Sequence, residues 1–194
     1  MSKLKYASLV FVSGNREKHR EYRSLLGLSD LKLALVDVYE PQMFNLHTLV
    51  QKKLEMIQAQ IPGDPFFVEH TALVIDAWKG LPGGLIKSFM DTVGNAGICK
   101  MMKAYKGAER IASAQVVIGF YHISSGIKLF EGDVPGTIPA EPRGSNNFGW
   151  DPIFIPDGST KTYGEMTLAE KNETSMRKRA AEKFAKFLNQ NFEL

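Results

Sequence analysis

A short apolar run, Leu9-Val10-Phe11-Val12, passes directly into Ser13-Gly14-Asn15-Arg16-Glu17-Lys18, which puts small polar groups, a glycine and a lysine where a helix begins. The first half predicts a buried strand; the second predicts the start of a helix that Leu25, Leu26 and Gly27 close. A strand feeding a helix through a tight polar turn leaves backbone N–H groups and the positive end of the helix dipole facing outward, an arrangement suited to phosphate. Lys18, one turn in, can reach back as a point charge. The same residues also serve as ordinary helix caps and a solvated face, and the chain has no Gly-x-x-x-x-Gly-Lys-Ser/Thr loop. The turn alone therefore does not assign a ligand.

At 194 residues the chain suits one substantial α/β domain. Its net charge of +3 comes from 24 basic and 21 acidic residues spread through the sequence, a balance that does not predict nucleic-acid or membrane binding. Cys99 is the only cysteine, so no intrachain disulfide or thiolate cluster is expected, and a reducing cytoplasm fits best. No signal-peptide pattern or membrane-spanning apolar run is apparent.

Strand and helix patterns alternate early: Leu9 to Val12, a helix to Leu26, apolar Leu31 to Val36, then a helix over about 46–59. Phe66 to Val68 and Leu73 to Ile75 read as strand, Leu81 to Gly84 as turn, and 88–105 as helix. Ala112 to Ile123 and Ile127 to Phe130 form a predicted antiparallel hairpin about Ser124-Ser125-Gly126. A Gly-, Pro- and Asn-rich loop over 132–150 and a charged amphipathic helix over about 168–189 complete the chain. The reading is a mixed sheet with helices against it.

Chemistry concentrates in four segments. Beside the Ser13 turn stand Glu69 to Gly84, Phe148 to Pro156, and Ala169 to Arg177. Phe148 and Trp150 offer flat faces and Asp151 an acceptor, as a purine base requires. Lys171 and Arg177 place cations near a helix start, where a bound anion would offset them.

Together, Ser13-Gly14-Asn15-x-x-Lys18-x-x-Glu21, Gly80-Leu81-Pro82-Gly83-Gly84, Phe148-Gly149-Trp150-Asp151-Pro152, and Lys171-Asn172 followed by Ser175-x-Arg177 resemble the inosine triphosphate pyrophosphatase family. The motifs occur in family order across nearly the whole chain. The resemblance implies a long bent mixed sheet with flanking helices, a single domain of two lobes around a central nucleotide cleft, and a homodimer. It implies Mg²⁺-dependent cleavage, with Mn²⁺ as an alternative, of ITP, dITP or XTP to monophosphate and pyrophosphate. By position it assigns Ser13, Asn15, Lys18 and Lys52 to the triphosphate, and Phe148, Trp150, Asp151, Lys171 and Arg177 to the base. Glu40 and Glu69 become metal carboxylates.

Two chemically central positions depart from the family pattern, and Ala72 stands for its usual glycine. His70 stands where the family carries an aspartate, within Glu69-His70-Thr71-Ala72-Leu73, and Met176 stands where it carries a histidine. Histidine can take a proton near neutral pH but is a poor ligand for Mg²⁺. His70 and Glu69 are therefore the candidate catalytic pair, and a nucleotide-binding homologue with weakened or lost turnover is the alternative. A third, weaker idea is a nucleic-acid surface built from Lys171, Arg177, Lys178 and Arg179, which would show a steep salt dependence on oligonucleotides; those residues otherwise read as a solvated helix face.

Overall fold

The computed structural model describes residues 4–5, 9–36, 41–61, 65–146 and 148–193. Among these, nine strands and six α-helices alternate: β1 (Leu4–Lys5), β2 (Val10–Val12), α1 (Arg16–Leu26), β3 (Lys32–Ala34), α2 (Leu46–Gln58), β4 (Phe66–Ile75), β5 (Pro82–Gly83), α3 (Ile86–Thr92), α4 (Gly94–Met101), β6 (Ile111–His122), β7 (Gly126–Thr137), β8 (Ile155–Pro156), α5 (Leu168–Thr174), α6 (Met176–Asn191) and β9 (Phe192–Glu193). The main sheet runs β3-β2-β4-β6-β7-β8, with β5 paired to β4, while β1 and β9 pair separately. β2 is parallel to β3 and β4, and β4, β6, β7 and β8 are antiparallel in turn, so the sheet is mixed as expected. No described helix is long and apolar enough to cross a membrane.

The two faces of β4 build two cores. Phe66, Val68 and Ala72 pack with Leu49, Val50, Leu54 and Ile57 of α2. Phe67 and Leu73 join Tyr22 of α1 and Phe184 and Leu188 of α6 on the other side. Strand alternation then sends Glu69 toward α1 and α6 and His70 toward the opposite face. At Gly132 of β7 any Cβ would collide with the Met176 carbonyl, so glycine lets the first turn of α6 lie directly on the sheet. That close approach sets the depth of Arg177.

Several boundaries differ from the sequence reading. β4 is continuous through Glu69 to Ala72, because all ten of its residues pair with β6. The helix expected over 88–105 breaks into α3 and α4 at Gly94, whose φ is +63°. β7 extends to Thr137, well into the expected loop, since it pairs with β6 residue for residue. The last helix divides at Ser175, whose side chain accepts from the N–H groups of Arg177 and Lys178 and caps α6.

Candidate active site

The turn after β2 is ordered by its own side chains. Asn15 caps α1 by accepting from Lys18 N at 3.0 Å, and Asn15 N donates to Ser13 Oγ at 3.1 Å. Gly27 closes the helix in the left-handed conformation. A cavity of about 630 Å³ opens above this turn, lined by Ser13, Gly14, Asn15, Lys18, Lys53, Glu69, Lys87 and Asp91 among others. Beside it lies a second cavity of about 320 Å³, walled by His70, Met90, Phe148, Trp150, Asp151, Lys171, Met176 and Arg177. Asn15, Lys18 and Lys87 line both. The first is cationic and polar; the second is aromatic.

The base-side loop is pinned at several points. Asn95 of α4 donates to the Gly149 carbonyl at 3.0 Å, and Asn146 donates to Asp151 Oδ2 at 3.3 Å. Trp150 is buried edge-on against Phe154. Lys171 Nζ stands 2.5 Å from Asp151 Oδ2 and 5.0 Å from the centre of the Phe148 ring. Burial pushes the Asp151 carboxyl up from its ordinary value, and Lys171 offsets only part of that.

Beneath both cavities runs a buried ion cluster. Glu69 Oε2 accepts from Tyr22 Oη at 2.9 Å and from Arg177 Nε at 2.9 Å, while Glu69 Oε1 lies 2.5 Å from Lys18 Nζ. Arg177 also donates to Glu21 Oε2 at 2.5 Å. Burial alone would raise the Glu69 carboxyl; the charges of Arg177 and Lys18 more than overcome it and hold the group well below the ordinary 4.5. A carboxylate with a depressed folded value stabilises the fold above its unfolded value, and that contribution is lost as pH falls toward the folded one. Thermal melts should therefore show the penalty of Glu69→Gln relative to the native chain narrowing as pH is lowered from ~6 to ~3. A gap that is constant with pH would contradict the assignment.

These contacts correct several expectations. Lys171 and Arg177 are neither cations awaiting an anion nor a solvated face: both are buried, and Asp151, Glu69 and Glu21 already meet their charge. The nucleic-acid idea loses two of its four residues for the same reason. Glu69 does not stand open as a metal ligand, because both oxygens face protein cations or donors. Among the described residues no three His, Cys, Asp or Glu side chains gather as a cation site. Glu40 lies outside the described residues.

Lys52 is not in the cleft. It points outward and pairs with Glu55 at 2.6 Å, whereas Lys53, one position along and buried, lines the larger cavity. The burial pattern of α2, Leu46-Leu49-Val50-Lys53-Leu54-Ile57, was the available signal, since it puts Lys53 on the inward stripe. Loss of a charge-assisted contact costs about 1.5–3 kcal/mol, so Lys53→Met should raise the KM for triphosphate about tenfold or more, and Lys52→Met should leave it unchanged. Steady-state kinetics on the two variants distinguishes them. Lys87 and Asp91 of α3, paired at 2.6 Å, are further cleft residues that the sequence reading did not name.

His70 lines the smaller cavity, and its Nε2 lies 3.1 Å from the Gly84 carbonyl oxygen. A carbonyl only accepts, so Nε2 carries the hydrogen of this contact.

Residues 9–187 match the model of the Ham1 family. The chain belongs to the Ham1 family. A dITP/XTP pyrophosphatase of Korarchaeum cryptofilum is 37% identical to this Ham1 chain over 181 residues, covering 93% of it and 95% of the relative. An inosine triphosphate pyrophosphatase of Kluyveromyces lactis is 39% identical, with the same coverage of each. Among solved structures, a HAM1 protein from Coxiella burnetii superposes with a TM-score of 0.82 at 25% identity, covering 96% of this chain and 99% of that one. The mixed α/β architecture is thus that of Ham1 proteins.

Proposed function

We propose that this Ham1 chain is a nucleoside triphosphate pyrophosphatase that hydrolyses non-canonical purine nucleotides, ITP, dITP and XTP, to the monophosphate and pyrophosphate. One observation carries the reading: a cationic cavity and an aromatic cavity adjoin and share Asn15, Lys18 and Lys87, as a triphosphate joined to a purine requires. The names of the relatives fit the same activity. Ser13, Asn15, Lys18 and Lys53 take the phosphates, and Phe148 and Trp150 flank the base. Asp151 and Lys171 form a neutral-overall polar pair at its edge, and Arg177 supports that wall from below. His70, with Nε2–H anchored on Gly84 at the wall of the aromatic cavity, is the candidate general base toward the attacking water.

Mg²⁺ or Mn²⁺ belongs to this proposal: Glu40 would hold the ion, which would supply charge neutralisation at the triphosphate oxygens. The roles given to the described residues do not depend on it. The two-lobed single domain, the homodimer and a cytoplasmic location are parts of the same reading.

Purified protein should release pyrophosphate, and no orthophosphate, from ITP, dITP and XTP faster than from ATP and GTP with Mg²⁺ or Mn²⁺. If no nucleotide in such a panel yields pyrophosphate, the proposal fails.

A further inference from the structure

A cavity that receives a polyanion has a carboxylate, Glu69, in its wall. Left uncompensated, that charge would repel the ligand the cavity is shaped to hold. Glu69 is 4% exposed and is balanced from three sides, by Arg177, Tyr22 and Lys18. The three contacts are not equivalent. Arg177 and Tyr22 make directed hydrogen bonds to Oε2 from fully buried positions. Oε1 faces Lys18, whose Nζ lies 2.5 Å away and whose side chain, 20% exposed, reaches solvent. Lys18 is also a residue shared by the two cavities.

We propose that Glu69 is a positioning residue, a fixed internal counter-anion that parks Lys18 at the junction of the two cavities and yields it to phosphate, rather than a base or a metal ligand. The inference rests on the phosphate-cavity reading given above. Arg177 and Tyr22 keep the carboxylate in place whether or not Lys18 is paired to it, so the exchange involves a single flexible side chain. Phosphate and Glu69 compete for the same ammonium, and Glu69 therefore weakens the hold on the pyrophosphate product. An anion bound without that competition would leave slowly.

Calorimetric titration with inorganic pyrophosphate, in the absence of nucleotide, tests this. Glu69→Gln should bind pyrophosphate about tenfold or more tighter than the native chain, because a full charge a few ångströms away is worth at least that in a partly buried site. Glu17→Gln, the same charge change on the exposed side of α1, should not alter it. Binding by Glu69→Gln that is equal to or weaker than native overturns the inference. In the native protein, which avoids any folding defect of the variant, pyrophosphate should move the carboxyl ¹³C resonance of Glu69; an unmoved resonance also overturns it. Mn²⁺ titration followed by electron paramagnetic resonance should give native and Glu69→Gln the same affinity, and a tenfold loss in the variant would make Glu69 a ligand instead. A native protein that binds no pyrophosphate removes the phosphate-cavity reading and this inference together; native binding without tightening in Glu69→Gln removes the inference alone.

Discussion

Replacing Arg177 with methionine should lower stability by about 3–5 kcal/mol, because it strips a buried ion cluster of its central cation. Arg177 is 1% exposed and joins three elements: its own α6, Glu21 on α1 and Glu69 on β4. Methionine fills much of the volume but leaves two inward carboxylates short of a partner, and an unpaired buried charge costs more than the pair itself contributes. For a chain of this size that stability loss corresponds to a fall in melting temperature on the order of 10 °C or more, measurable by calorimetry. Arg177→Lys should fall between, since lysine keeps the charge but cannot bond both carboxylates in the fixed fork of a guanidinium. A methionine variant that melts with the native protein would mean the cluster is not what joins α1, β4 and α6.

Replacing His70 with alanine should reduce kcat/KM for ITP by roughly 10²–10⁴-fold, the usual contribution of a positioned general base. Pyrophosphate affinity should be unchanged, because the contacts assigned to phosphate lie on the Ser13 turn, Lys18 and Lys53. His70→Asp also supplies a proton acceptor and should turn over faster than His70→Ala. Equal rates for native and His70→Ala would assign the proton transfer elsewhere. The comparison also separates an active enzyme from a nucleotide-binding homologue, since the latter would show background rates in the native protein and His70→Ala alike, with any gain confined to His70→Asp.

Much of the architecture was legible along the chain. The strand and helix about Ser13, the second helix, the hairpin and the terminal helix follow from apolar periodicity and capping residues, which are local properties. The errors occurred where pairing or packing overrode them. β4 runs through the polar Glu69-His70-Thr71 stretch because β6 pairs with it throughout, and β7 enters a Gly- and Pro-bearing segment for the same reason. Lys52 and Lys53 are adjacent in sequence and similar in chemistry, and only the rotation of α2 against the sheet places one in the cleft.

The sequence by itself determined the chemical inventory of this protein: a phosphate-suited turn, an aromatic base loop, and a histidine where the family carries an aspartate. It could not determine which charges are spoken for. Lys171 and Arg177 read as cations short of an anion because their partners, Asp151, Glu69 and Glu21, lie 20 to 156 residues away along the chain. Ion pairing depends on distance in space and on burial, neither of which local periodicity encodes. The tertiary structure alone brought those carboxylates beneath the cleft and set Glu69 among Arg177, Tyr22 and Lys18.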